Sequence, residues 1–263
     1  MIIIEDLLKY YPVNLLNHNR NIFAEYLQYL ITKKIFNCNF GFEVYLSGSF
    51  YNRLKFSINR FSSSLEILSA SIKQDVRNKI NAHIKNSLEL EGYNVNIKEF
   101  KSQYKIEIQT DDILTVDGDS ENENDSPIVI NLNYFNTEYL FMGKMDESTE
   151  SFNINKFDVC TRINTIKSTK ALTILVRKII KTNLITTVEF YDLNYFKNLN
   201  YNIYREYFST ADQKILLKNL FEICKKIRKE KFLQQLFKCV FDYSPDNCSK
   251  TVEDKAWIKS FNV

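Results

Sequence analysis

The stretch "LSGSFYNRLKFSINRFSSSLEIL", residues 46–68, decides how this chain is read. It holds Gly48, one of only five glycines, followed by Ser49 and by a short run with helical spacing. An Arg60-Phe61-Ser62 step then leads into an apolar segment whose one acid is Glu66. The run before Gly48, residues 42–46, alternates apolar and polar side chains between Gly41 and Gly48, and so predicts a short buried strand. Residues 50–56 predict a helix and 64–68 a second strand. Glycine between a strand and a helix lets the backbone turn sharply and lets another group come close.

Working outward, residues 3–10, closed by Pro12, and 19–34 carry apolar side chains at helical spacing and predict two helices covering the sheet. A long helix follows over residues 71–89, with Gly92 as its stop. "NVNIKEF" (94–100) and "YKIEIQ" (104–109) alternate and lie close enough for a hairpin, and "IVINLNYF" (128–135) predicts a further strand. "DGDSENENDSP" (117–127) is acidic and poor in apolar residues, so it predicts a solvated loop. Its pattern lacks the inner glycine and closing glutamate of a calcium-binding hand.

From about residue 156 the composition shifts to helices rich in Lys, Leu, Ile and Phe, over 165–182, 188–199, 210–229 and 232–241. Trp257 is expected to pin the last helix. The expected class is α+β: a mixed sheet with flanking helices in residues 1–150, followed by a helical bundle in 151–263.

With 263 residues, 44% of them apolar, the chain can bury one large core or two small ones. A formal net charge of +3 is too mild to mark a nucleic-acid protein, so only a local cluster of Lys and Arg can make that case. Cys38, Cys160, Cys224, Cys239 and Cys248 show no C-x-x-C spacing and are accompanied by only His18 and His83, which argues against zinc and for a reducing compartment. The opening "MIIIEDLLKY" has its apolar run broken by Glu5 and Asp6 and reads as helix rather than leader. No window reaches the ~20 apolar residues of a membrane span. A cytoplasmic protein with no membrane association is expected.

Taken in order, the "SGS" strand end, "RFSSSLEI", "YKIEI" and the helix with Lys178 followed by "FYDLNYF" resemble the AbiEii/AbiGii-type toxin family, minimal nucleotidyltransferases of the DNA polymerase beta-like superfamily. The resemblance spans roughly residues 42–196 and implies a nucleotidyltransferase fold. It implies that Gly48 and Ser49 form the phosphate-binding turn, to which a helix start adds its positive end. In the family frame R-F-S-x-D-h-D two carboxylates hold divalent metal from one strand face. Here Arg60, Phe61 and Ser62 are followed by Ser64 and Glu66 at the acid positions, so one acid is kept and the other is a serine.

The resemblance further implies Glu107 as third carboxylate or general base, with Lys105 beside it on the same strand face, and it implies Arg60 and Lys105 as contacts to the bound nucleotide. It makes Lys178 the contact to nucleotide phosphates, with Arg177 as the alternative if the register is off by one, and Asp192 the group that orients the lysine or completes the site. Val188 stands where the family has an arginine. The implied ligands are NTP as substrate with Mg²⁺ or Mn²⁺ held by Ser64, Glu66 and Glu107. The implied activity is transfer of an NMP to an RNA, such as tRNA, or to a protein, in a toxin–antitoxin or phage-defence setting with an antitoxin partner. Ser64 weakens that chemistry. The alternative is an inactive member serving as a nucleotide- or nucleic-acid-binding module. Lys225, Lys226, Arg228, Lys229 and Lys231 are the expected RNA-tracking cluster.

Overall fold

The computed structural model describes residues 3–62, 64–69, 73–100, 103–109, 126–136, 149–198 and 208–227. Seven strands form one sheet: β1 (Tyr45–Ser47), β2 (Ser64–Ser69), β3 (Val95–Phe100), β4 (Gln103–Ile108), β5 (Ile128–Asn136), β6 (Thr149–Lys156) and β7 (Val159–Ile166), in the order β3-β4-β5-β2-β1-β7-β6. The sheet is mixed, because β2 runs parallel to β5 and β1 parallel to β7 while every other pair is antiparallel.

One sheet face is apolar: Leu65 and Ile67 on β2, Ile130 and Leu132 on β5, and Ile106 and Ile108 on β4 are all fully buried or nearly so. Against it lie α2 (Asn19–Asn37) and α4 (Gln74–Leu90), with the short α1 (Ile4–Leu8) packed on α2. Burial here removes several whole Leu and Ile side chains from water, each contributing about 1.5–3 kcal/mol. The α2 helix is more than a cover. It buries Glu25, Gln28 and Thr32 together with its apolar positions, and Glu25 is held by Lys156 at 3.1 Å and Arg53 at 3.6 Å. α4 stops where the sequence places Gly92, which has φ +91° and donates to the Glu89 carbonyl, as helix C-termini favour.

The sheet does not stop at residue 150. Thr149 opens β6, so a boundary there falls inside a strand, and residues 149–166 form a hairpin that extends the sheet through β1. The expected helix over 165–182 therefore starts later, as α5 (Ala171–Thr182), preceded by a tight turn at Ser168–Lys170. The signal for the hairpin is the alternation in "NINKFDVCTRINTI", turned at Phe157 and Asp158, both with positive φ as a two-residue hairpin turn needs. Phe157 is an unfavourable residue for that conformation. Its ring is buried among Tyr10, Tyr11, Tyr26 and Tyr29, and that packing holds it there.

Helices follow the sheet: α5, α6 (Thr187–Asn198) and α7 (Thr210–Ile227), with α5 touching both of the others. α3 (Gly48–Phe56) lies between β1 and α6. Among the described residues no helix is long and apolar enough to cross a membrane. The acidic segment 117–125, the helix expected at 232–241, Trp257 and the basic positions Arg228, Lys229 and Lys231 lie outside the described residues. Lys225 and Lys226 lie within α7.

Candidate functional site

Everything at the candidate site is built around the turn from β1 into α3. Ser47 ends β1 directly opposite Glu66 of β2, and Gly48 begins α3 with φ +73°. A Cβ at position 48 would stand 2.2 Å from the Glu66 Cδ and 2.4 Å from its Oε2. Glycine is therefore required twice, for the left-handed backbone and for the carboxylate lying across the helix start. The positive end of the helix dipole favours that carboxylate.

Lys178 reaches the same carboxylate from α5. Its Nζ is 2.5 Å from Glu66 Oε1 and 3.0 Å from Glu189 Oε1, so one ammonium joins β2, α5 and α6. Burial by itself would lower the lysine's pKa, but the two carboxylates outweigh it and hold the group above its ordinary value. Glu189 divides its oxygens: Oε2 accepts from the Thr186 amide at 2.8 Å, while the Thr186 hydroxyl accepts from the Glu189 amide at 3.2 Å. That is a capping box, legible as T-x-x-E at positions 186–189, and it fixes Glu189 in the cleft that Gly48, Ser49, Glu66, Lys178 and Asp192 also line. Sequence reasoning left Glu189 without a role, although this signal was present.

Arg177 is not the cleft lysine's alternative. It is buried, with its guanidinium 5.7 Å from the Phe208 ring centre.

Arg60 and Asp192 form a second ion pair, and its burial corrects the expected role of Arg60. The arginine is fully buried, donating from Nε to Asp192 Oδ1 at 2.6 Å and from Nη2 to Oδ2, with further bonds to the Phe61 and Ser49 carbonyls. Asn52 donates to the same Asp192 Oδ2 at 3.0 Å. Arg60 is thus committed to pinning the approach to β2 onto α6, and Asp192 serves Arg60 and Asn52. It forms neither a hydrogen bond nor an ion pair with Lys178. Both partners are so desolvated that the pair acts as a structural staple.

Around the turn, Ser49 Oγ lies 2.5 Å from Ser62 Oγ and 3.3 Å from Ser64 Oγ, and the Ser62 hydroxyl donates to the Ser64 carbonyl at 3.0 Å. Ser64 therefore stands on the same strand face as Glu66 and next to the β1–α3 turn.

Lys105 and Glu107 do not join this group. They share the sheet face of Glu66, but β4 is separated from β2 by β5, about 10 Å at the usual strand spacing. Glu107 pairs with Val129, four residues along β5 from Asn133, the partner of Glu66, which adds roughly 13 Å along the strand. Glu107 is engaged by Lys98 at 2.6 Å and Asn96 at 3.3 Å, and Lys105 lies over Phe100. The residue beside Glu66 is Asn133, which sequence reasoning passed over because pairing register is not visible before the strands are aligned.

These positions decide whether the residues suit the divalent ion that the resemblance implies. Among the described residues no group of three His, Cys, Asp or Glu side chains is arranged to hold a metal. Of the expected ligands, Ser64 is neutral, Glu66 is occupied by Lys178, and Glu107 is elsewhere on the sheet. The donor set does not fit a resident Mg²⁺ or Mn²⁺.

No family model matches this chain, the AbiEii/AbiGii type included, and no curated protein matches it. Solved structures do. One is a Helicobacter pylori protein described as a candidate nucleotidyltransferase, 15% identical, with 86% of this chain and 83% of that one covered and a TM-score of 0.40. Another is JHP933 from Helicobacter pylori, 13% identical, covering 82% of this chain and 78% of that one with a TM-score of 0.39.

Proposed function

We propose that this chain is a nucleotidyltransferase-type protein whose cleft, lined by Gly48, Ser49, Glu66 and Lys178, receives the phosphates of a nucleoside triphosphate, and whose transfer chemistry is weakened at β2. The observation that carries the reading is the Lys178 ammonium standing 2.5 Å from the one acid of the β2 motif, above the start of α3. A lysine on a flexible stem can exchange a carboxylate for a phosphate oxygen. The helix start and the Ser49 hydroxyl offer the same oxygens polar partners.

Electrostatics limit the affinity. Glu66, Glu189 and Asp192 face Lys178 and Arg60, three carboxylates against two cations. A triphosphate must compete with Glu66 and Glu189 for the lysine, so binding belongs in the millimolar range, about −4 kcal/mol. Transfer to an RNA or protein acceptor, with the toxin–antitoxin setting and the antitoxin partner, is the finer form of this proposal.

A second reading has one observation in its favour. The Glu66 carboxylate fills the space above Gly48, as it would in a cleft that takes no ligand and serves only to join β2 to the helices. Calorimetry separates the two. Saturable NTP binding at millimolar concentration, lost in Lys178→Ala, is the expected result, and no binding by the native protein sinks the nucleotide reading. Labelled NTP and total RNA then measure transfer for the native chain and for Ser64→Asp, in which a higher rate is expected.

A further inference from the structure

We infer that the Lys178 ammonium is the resident cation of this cleft: it holds the place at Glu66 that a divalent ion would take, so that the native cleft excludes free divalent ions and accepts one only when the ammonium is removed. The inference goes beyond the nucleotide reading and stands whether or not a nucleotide binds.

Three observations lead to it. Two carboxylate oxygens from different elements, Glu66 Oε1 of β2 and Glu189 Oε1 of α6, converge on one point at 2.5 and 3.0 Å, and Nζ of Lys178 occupies that point. Divalent ions take carboxylate oxygens at about 2.0–2.6 Å, so a small inward shift would turn the ammonium's seat into a metal's seat. Next, both acids are held in place by other parts of the fold. Glu66 lies against Gly48, and Glu189 is tied by its capping box to Thr186. Finally, the other acid beside these two, Asp192, is engaged by Arg60.

A divalent ion and Lys178 therefore exclude each other. Their charges repel across a distance at which the pair is worth several powers of ten in affinity, even at the moderate dielectric of a part-buried site. The Lys178 ammonium is bonded to both carboxylates at once, to Oε1 of Glu66 and Oε1 of Glu189. It cannot leave without replacement, because two buried carboxylates would be left facing each other uncompensated.

The test is a titration of the full chain, stripped of metal, with Mn²⁺ alone, followed by the free-ion resonance signal and by the thermal midpoint. The native protein and Lys178→Arg, which keeps the charge, should show no site sensitive to Glu66→Gln. Lys178→Met should gain one, at least about a hundred-fold tighter than any native binding, with a midpoint raised by Mn²⁺. Both effects should vanish in Lys178→Met combined with Glu66→Gln. If Lys178→Met is unfolded without metal, recovery of its native circular dichroism on adding Mn²⁺ supports the inference. Failure to recover at saturating Mn²⁺ overturns it, as does a folded Lys178→Met that gains no site. A native protein that binds Mn²⁺ through Glu66 overturns it without any Lys178 variant. Because no nucleotide is used, these outcomes are independent of the NTP titration.

Discussion

Replacing Gly48 with alanine tests the centre of the site, because its cost has two separable parts. The first is local: a left-handed backbone at φ +73° costs a residue with a Cβ about 1–2 kcal/mol. The second comes from the added methyl, which meets the Glu66 side chain at 2.2 to 2.7 Å and must push it aside. Glu66 cannot move without leaving Lys178, and a charge-assisted contact of this kind contributes about 1.5–3 kcal/mol. Gly48→Ala should therefore destabilise the protein by about 2.5–5 kcal/mol. In a Glu66→Ala background the methyl no longer meets the carboxyl group, and only the backbone part of about 1–2 kcal/mol should remain. Urea unfolding of the four proteins gives the coupling as a double-mutant cycle, with an expected value of about 1.5–3 kcal/mol. Equal cost of Gly48→Ala in both backgrounds, within about 0.5 kcal/mol, would mean that Glu66 does not lie across the helix start and that the proposed cleft is misdrawn.

Three further outcomes follow from the same geometry. Asp192→Ala leaves the buried Arg60 guanidinium without its carboxylate and should cost about 3–5 kcal/mol, whereas Arg60→Met with Asp192→Leu should recover most of that; urea midpoints that barely move for the single variant would refute the staple. Burial raises the pKa of Tyr134, and the two carboxylates raise that of Lys178, so both groups stabilise the fold fully below their ordinary values near 10 and lose that contribution as pH rises towards the folded values. The thermal midpoint should accordingly fall above about pH 10, less steeply in Tyr134→Phe, and an unchanged slope in that variant would remove the tyrosine from the account. Glu107→Gln should leave NTP affinity unchanged while Lys178→Ala weakens it by about 1.5–3 kcal/mol; equal losses by calorimetry would show that β4 reaches the cleft.

Local pattern carried much of the fold. Alternation marked β3, β4 and β5, helical spacing marked α2, α4 and α6, and Gly48 and Gly92 marked the turns that need a left-handed backbone. These features depend on neighbours a few residues apart, which a sequence displays directly. The same is true of the alignment of Gly48, Ser64 and Glu66: two strands joined by one short helix leave little freedom in how they meet, and Ser47 lies opposite Glu66.

Long-range register is different in kind. Whether Glu107 lies beside Glu66 depends on which strand stands between them, and β5, reached through a long connection, takes that place. The β6–β7 hairpin joined the sheet because β1 had a free edge to offer, a fact absent from residues 149–166 themselves. Arg60 has the composition of a phosphate contact, and only the packing of α6 over it made it the buried partner of Asp192. In each case the residue type was fixed by sequence, and its role was fixed by which charge, strand or ring the tertiary structure brought within a few ångströms, since ion pairing and burial act through space and not along the chain.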